Sequence, residues 1–241
     1  MTSVASPAPT ANPASAERSN DYYLAKQASD GWSNYFRSKR FAAIEAQIRA
    51  ISARKGQCRI IDVGGREEYW RPILPALEEA RARVTVINLE KTQPKSGPLF
   101  DFAYGDACNL SDFADGSFDL AHSNSLIEHV GQWRQMHACA GEIRRVATEY
   151  YVQTPYLWFP VEPHFRAPFF AWLPEQARAR LLMRFDLGYI GKAATLHQAM
   201  ADVQSINLLD LAQMRALFPD AQIRFERVAG LPKSMIATRA G

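Results

Sequence analysis

The chain has 241 residues, of which 47% are hydrophobic and 22% are charged, and its formal net charge is +3. This length is enough for one large α/β domain with a full hydrophobic core. The charge is too small to indicate nucleic acid or an anionic membrane as a partner. No apolar run approaches the ~20 residues that span a bilayer.

The cysteine content indicates a reducing compartment. There are three cysteines, an odd number, and no CxxC pair occurs. A disulfide framework or a zinc site is therefore not expected, and we expect a cytoplasmic protein with no bound metal.

The N-terminal segment differs from the rest of the chain. Residues 1–18 are mostly small residues and prolines with almost nothing to bury, which predicts a disordered tail. This segment has no basic start and no apolar core, so it is not a secretory signal. Aromatic residues recur among charged ones over 21–53, which predicts one or two helices that cover the main domain. We expect 19–241 to form that domain.

From residue 59 onward, short apolar runs alternate with helical patterns. A helix is predicted over 67–82, although Pro72 and Pro75 restrict where it can start. Apolar residues three or four apart between Ile127 and Ala147 predict a second helix. This alternation predicts a parallel sheet with right-handed crossovers. The predicted strands are 59–64, 84–89, 100–105, 118–123 and 150–154.

The pattern breaks over 156–206, where Trp, Phe and Pro residues are crowded. We interpret this stretch as an insertion that caps the carboxyl edge of the sheet and covers the substrate. Its aromatic residues either hold an apolar or ring-shaped acceptor or form a small second core. A helix at 208–218 and strands at 223–228 and 234–238 follow, and the last two predict an antiparallel hairpin.

Polar residues and glycines follow four of the predicted strands. In an open parallel sheet these strand ends line one crevice. Three of the four include an acid, as binding of ribose hydroxyls and an adenine amino group requires. A single acid there would be explained more simply as a helix cap or turn residue. No GxGxxG occurs, so the crevice suits an uncharged ribose beside a sulfonium better than a pyrophosphate. The four runs are Asp62–Gly65, Asn88–Glu90, Gly105–Ala107 and Ser123–Asn124.

These runs resemble a known family. Ile61–Gly65 resembles motif I of the class I S-adenosylmethionine-dependent methyltransferases. Three later runs are similar to the methyltransferase 11 group, and Gln153–Pro155 resembles its fifth-strand motif. The resemblance covers about 56–160 and implies a Rossmann-like, seven-stranded, mostly parallel sheet with helices on both faces and a terminal antiparallel hairpin. It makes 19–241 a methyltransferase domain with S-adenosyl-L-methionine as its cofactor. The three later runs are Gly105–Ala107, Asp115–Leu120 and Ser123–Val130.

The resemblance also implies roles for the strand-end residues. The first loop would line the methionine and ribose side, the second the ribose, the third the adenine, and the end of the fourth strand the floor near the sulfonium. Arg66 and Glu68 stand where motif I usually has its later glycines, and Asn88 replaces the usual acid. The implied cofactor residues are Asp62, Gly64, Gly65, Asn88, Glu90, Asp106, Ala107 and Ser123.

The acceptor side is less determined by the sequence. A hydroxyl acceptor would need a base, and the candidates are His129 and His164, each of which could equally be structural. The main hypothesis is methyl transfer to a small-molecule or glycan-like acceptor at oxygen. The alternatives are N- or C-methylation, or a non-catalytic Rossmann-like binding module, which the missing glycines favour. No nucleic-acid partner is expected, because the composition indicates no basic crevice.

Overall fold

The computed structural model describes residues 31–90 and 94–241. The predicted tail over 1–18 lies outside these residues. Within them, seven strands form one sheet in the order β3-β2-β1-β4-β5-β7-β6. The first five strands pair in parallel, whereas β7 pairs antiparallel with both β5 and β6. This confirms the predicted seven-stranded, mostly parallel sheet with a terminal antiparallel hairpin.

The strands form where β-branched and aromatic residues are concentrated. The central strands are buried on both faces of the sheet, whereas the edge strand Gln222–Val228 has no fully buried residue. The strands are β1 Cys58–Val63, β2 Ala82–Asn88, β3 Phe100–Tyr104, β4 Phe118–Asn124, β5 Ala147–Pro155, β6 Gln222–Val228 and β7 Leu231–Arg239.

Helices lie between the strands and before the first one. Within the described part of the chain, none is long and apolar enough to cross a membrane. The α-helices are α1 Gly31–Lys55, α2 Glu67–Trp70, α3 Leu74–Glu79, α4 Trp133–Val146, α5 Glu175–Arg184, α6 Leu196–Gln204 and α7 Leu211–Leu217.

Three predicted elements differ from the structure. The helix expected between Ile127 and Ala147 is Trp133–Val146, because Ile127–His129 instead form a 3-10 turn. The single helix expected over 67–82 is instead α2, a 3-10 turn at Arg71–Ile73 and α3, because prolines lack the amide proton that a continuous helix needs. The hairpin turn is also tighter than expected. Ala229 and Gly230 both have positive φ, 48° and 84°, which suits a two-residue turn, so β7 already begins at Leu231.

Each face of the sheet has its own apolar core. On one face, α1 places Phe41, Ile44 and Ile48 against β1 and β2. On the other face, α4 and α7 pack against β4 and β5, with Ile143 and Leu217 buried there. Burial on both faces fixes the sheet, so the loops at its carboxyl edge are held on a rigid frame.

The segment after β5 forms a third core of its own. Phe165 and Phe170 are buried there with residues of α5 and α6. Trp158, Phe169 and Trp172 remain exposed and lie against one another, with ring centroids 5.0–5.9 Å apart. The crowded aromatics are thus divided between a small core and an exposed group.

The N-terminus of α7 offers a stability test. Asp210 forms a capping box: its side chain accepts from the amide of Gln213, whose side chain in turn accepts from the amide of Asp210. We expect Asp210→Ala to cost about 1 kcal/mol of unfolding free energy, which lowers the Tm by about 2–4 °C. Asp210→Asn, which keeps a capping oxygen, is the control. Equal melting temperatures for Asp210→Ala and the parent protein, measured by calorimetry, would refute a stabilising cap.

Candidate functional site

The loop after β1 is built around a buried carboxylate. Asp62 is fully buried, and its two oxygens lie 2.7 Å from Trp70 Nε1 and 2.7 Å from His122 Nδ1. Gly65 crosses directly over this carboxylate, since a Cβ on Gly65 would lie 1.7 Å from Asp62 Oδ2. Gly64 is exposed with φ of 76°, a conformation that glycine adopts without strain. The loop therefore turns tightly and presents bare backbone at the sheet edge.

Hydrogen bonds tie the first loop to its neighbours. The amide of Gly64 donates to the Ile87 carbonyl at 2.7 Å, and Asn88 Nδ2 lies 3.4 Å from the Gly65 carbonyl oxygen. The amide of Gly105 donates to the carbonyl of Asn88 at 3.1 Å. The structure thus brings together the predicted residues that follow β1, β2 and β3 along one continuous edge.

The fourth strand completes this edge. Ser123 is 1% exposed, and its hydroxyl donates to the Val63 carbonyl at 3.2 Å. This bond holds the end of β4 against the end of β1, on the side where Ser123 was predicted to form a floor.

Two acids stand at the outer part of the edge. Glu90 is exposed and forms an ion pair with Arg66, the residue at a later glycine position of motif I. Asp106 is also exposed and accepts from the amide of Cys108 at 2.9 Å, while Ala107 is buried beside it. Each acid is thus held at the outer part of the edge by a contact of its own, Glu90 by Arg66 and Asp106 by the Cys108 amide.

Sequence reasoning missed Arg40, a residue of α1. Its guanidinium donates to Asn124 Oδ1 at 2.9 Å and to both carboxylate oxygens of Glu226 at 2.6–2.8 Å. Arg40 is 84 residues from Asn124 and 186 from Glu226. No local pattern could indicate the contact, because only the packing of α1 across the sheet creates it.

The two predicted catalytic histidines meet beyond the ends of β4 and β5. His129 Nε2 and His164 Nε2 are 3.1 Å apart. His164 is 3% exposed, and its Nδ1 lies 2.5 Å from Glu162 Oε1, whereas His129 is exposed. Burial lowers the pKa of His164 and raises that of Glu162. His164 is therefore an uncharged imidazole held in place by a carboxyl group.

Glu128 lies beside this pair and was also missed. Its carboxyl group is fully buried, and one oxygen accepts from Thr154 Oγ1 at 2.9 Å. The other oxygen, Oε1, has no hydrogen-bond partner among the residues that the structure describes. Burial raises the pKa of this carboxyl to about 7. Its position in Ser123–Val130, the run that resembles the family, was the signal available in the sequence.

A pocket of about 280 Å³ opens next to these groups. Glu162 and Phe165 line it on the side of the 156–206 segment, and Trp133 and Met136 line it on the side of α4. Arg178 also faces it, and its buried Nε has no hydrogen-bond partner within the described part of the chain. The pocket is therefore mixed in character, with apolar walls, one acid and one guanidinium.

Residues 72–149 match the family model of the methyltransferase 11 group, described as "Methyltransferase domain". This match covers about a third of the chain and supports a class I S-adenosylmethionine-dependent methyltransferase. It supports an enzyme, and the family implies S-adenosylmethionine as the cofactor. No curated protein matches the chain.

Solved structures also match the chain, at low sequence identity and with TM-scores under 0.5. A SAM-dependent methyltransferase from Methanosarcina mazei is 17% identical over 76% of this chain and 93% of its own, with a TM-score of 0.44. An O-methyltransferase family protein from Burkholderia thailandensis is 11% identical over 89% and 62%, also with a TM-score of 0.44. A Rhodobacter sphaeroides protein provisionally named a Zn-dependent alcohol dehydrogenase is 12% identical over 76% and 83%, with a TM-score of 0.46. At these sequence identities and TM-scores, the similarity does not indicate what this protein does.

Gly65 tests the geometry of the loop after β1. Gly65→Ala would drive a methyl group into the Asp62 carboxylate, so the loop or the Asp62 contacts must shift. We expect a destabilisation of about 1–3 kcal/mol, measured as a lower Tm. Gly141→Ala is the control, because nothing lies within 4 Å of its Cβ position and Gly141 is inside α4. That control should be neutral or slightly stabilising. Equal Tm changes in the two variants would contradict the close approach.

Proposed function

We propose that the protein transfers a methyl group from S-adenosylmethionine to an oxygen of a small-molecule or glycan-like acceptor. The observation that carries this proposal is the meeting of Glu128, His129 and His164 beyond the ends of β4 and β5. Oxygen acceptors need their proton removed or their hydroxyl polarised, and these three side chains bring imidazole nitrogens and a carboxyl group together for that task.

The crevice fits the nucleoside part of the cofactor. S-adenosylmethionine supplies a methyl group already activated on a sulfonium, so the protein has to position and desolvate rather than form a covalent intermediate. The bare backbone at Gly64 and Gly65 allows close approach to the ligand. Glu90 would accept from ribose hydroxyls, Asp106 from the adenine amino group, and Ala107 would pack on the ring.

Three further predicted residues would support the cofactor. Asp62 has both oxygens engaged inside the protein, so we assign it a positioning role that acts through Gly65. Asn88 would hold the second loop in place, since its side chain accepts from the Glu90 amide at 2.9 Å. Ser123 would close the floor of the crevice.

The acceptor would enter from the side of the 156–206 segment. Apolar walls and a few polar groups are typical of small-molecule sites, and the pocket beside Glu162 combines Phe165 and Trp133 with Arg178. We therefore propose that this segment is the substrate cap. Trp158 and Trp172, which stay exposed, would lie at its outer surface.

One observation favours a second candidate, the non-catalytic binding module. Arg66 replaces a glycine of motif I and is paired with Glu90, the acid proposed for the ribose. If this ion pair does not open, the cofactor cannot reach Glu90. Calorimetry with S-adenosylmethionine separates the two candidates, since the module would not bind it.

Asp106 tests the cofactor side. We expect Asp106→Ala to weaken S-adenosylmethionine binding roughly tenfold to hundredfold, because a hydrogen bond to the adenine amino group would be lost. The Kd would be measured by isothermal titration calorimetry. Asp112→Ala, at an exposed acid of the same loop, is the control and should bind like the parent protein. Unchanged affinity in Asp106→Ala would place the adenine elsewhere.

His164 tests the acceptor side. We expect His164→Gln to lower methyl transfer at least about a hundredfold, within the range typical of acid–base groups, while the Kd for S-adenosylmethionine stays at the parent value. Transfer of labelled methyl groups to a panel of hydroxylated small molecules would be measured, with His197→Gln as the control at an exposed histidine. A folded, fully active His164→Gln enzyme would remove His164 from acceptor activation.

A further inference from the structure

The side chains of Glu128, His129 and His164 converge on one point. One ligand atom from each residue lies within 4.8 Å of the other two. They come from the turn after β4 and the loop after β5, which parallel pairing of β4 and β5 holds side by side. Glu128 is fully buried, and its Oε1 has no hydrogen-bond partner among residues 31–90 and 94–241.

The hydrogen bonds at the outer nitrogens of the two histidine rings favour lone pairs on the Nε2 atoms that face that point. Glu162 Oε1 lies against Nδ1 of His164 and can accept the ring proton of that nitrogen. The backbone of Ser205 hydrogen-bonds the His129 imidazole, whose Nε2 faces His164. The two Nε2 atoms face each other at 3.1 Å, and with each ring proton on the far nitrogen both would present lone pairs to the point between them. A positive charge at that point would stabilise this arrangement.

The spacing of the nitrogens matches two ligands of one ion. Imidazole nitrogens bind zinc at about 2.0–2.1 Å. At the angles of octahedral and tetrahedral coordination, such ligands lie roughly 2.8–3.4 Å apart. The Nε2–Nε2 distance of 3.1 Å is within this range.

The two acids of the site interact with the guanidinium groups of Arg40 and Arg178 only at longer range. Glu128 and Glu162 are both buried, and neither forms an ion pair with a Lys or Arg within the described residues. Buried carboxylates are usually paired or bound to a metal. Glu162 behind His164 has the arrangement of a carboxylate that orients a metal-binding histidine.

We propose that Glu128, His129 and His164 bind one divalent transition-metal ion, with Glu162 orienting His164. Two imidazoles and one carboxylate suit zinc and similar ions, whereas magnesium and calcium prefer oxygen ligands. This departs from the expectation of no metal, which rested on the cysteines alone.

The role of the ion rests on the proposed function. Three protein ligands leave coordination positions for an oxygen of the acceptor, and a metal-bound hydroxyl loses its proton to solvent more readily. The acceptor would therefore be a small molecule whose methylated hydroxyl group can coordinate a metal.

The full-length protein, freed of metal by dialysis against a chelator, tests the site directly. Zinc is titrated in competition with a chromogenic chelator, and cobalt is followed by its visible absorption. We expect one bound equivalent of each. His129→Ala and Glu128→Gln should weaken zinc at least a hundredfold, and Glu162→Gln roughly tenfold to hundredfold. His129 is exposed, so His129→Ala should remain folded.

Matched controls and a second measurement make the result decisive. His137→Gln and His197→Gln, both at exposed histidines, should bind zinc like the parent protein. No bound equivalent, or parent-like zinc affinity in a folded His129→Ala protein, would overturn the site. Calorimetry with S-adenosylmethionine on the metal-free protein tests the proposed function separately. Loss of cofactor binding with zinc binding intact would overturn the function and leave the site.

Discussion

The buried carboxylate of Asp62 is the constraint on which the functional edge depends. An unpaired carboxylate at zero exposure would be costly, so the fold must supply donors, and it does so from Trp70 at the end of α2 and His122 in β4. These bonds fix the first loop relative to both neighbouring elements. They also leave no room above the carboxylate, which restricts position 65 to glycine. Asp62, which the sequence resemblance implies as a cofactor-binding residue, thus also holds the loop in place.

The rest of the crevice edge is coupled to that loop. Asn88 bonds the Gly65 carbonyl, and Gly105 bonds the Asn88 carbonyl, so the second and third loops take their positions from the first. A ligand at this edge would meet backbone near β1 and charged side chains farther out, at Glu90 and Asp106. This division suits a cofactor with an uncharged ribose and a cationic sulfonium better than a pyrophosphate.

The histidine site has a different physical origin. Glu128 and His129 are neighbours in one short turn, and Glu162 and His164 belong to one short loop, so each pair is local in sequence. Parallel pairing of β4 and β5 places the two pairs together. The acid, the histidines and the orienting carboxylate then form one cluster, whereas Glu226 is neutralised by its ion pair with Arg40.

The sequence by itself determined the type and order of the elements, because apolar runs between glycines and prolines fix strands locally and their alternation with helices fixes a parallel sheet. It also determined that residues such as Gly64, Asn88 and Asp106 would share one edge, since parallel strand ends must meet there. Only the tertiary structure decided that Asp62 faces inward, that Arg40 reaches Asn124 and Glu226, and that His129 meets His164. These outcomes depend on the packing of elements far apart in the chain, where burial and charge compensation act and local patterns carry no information.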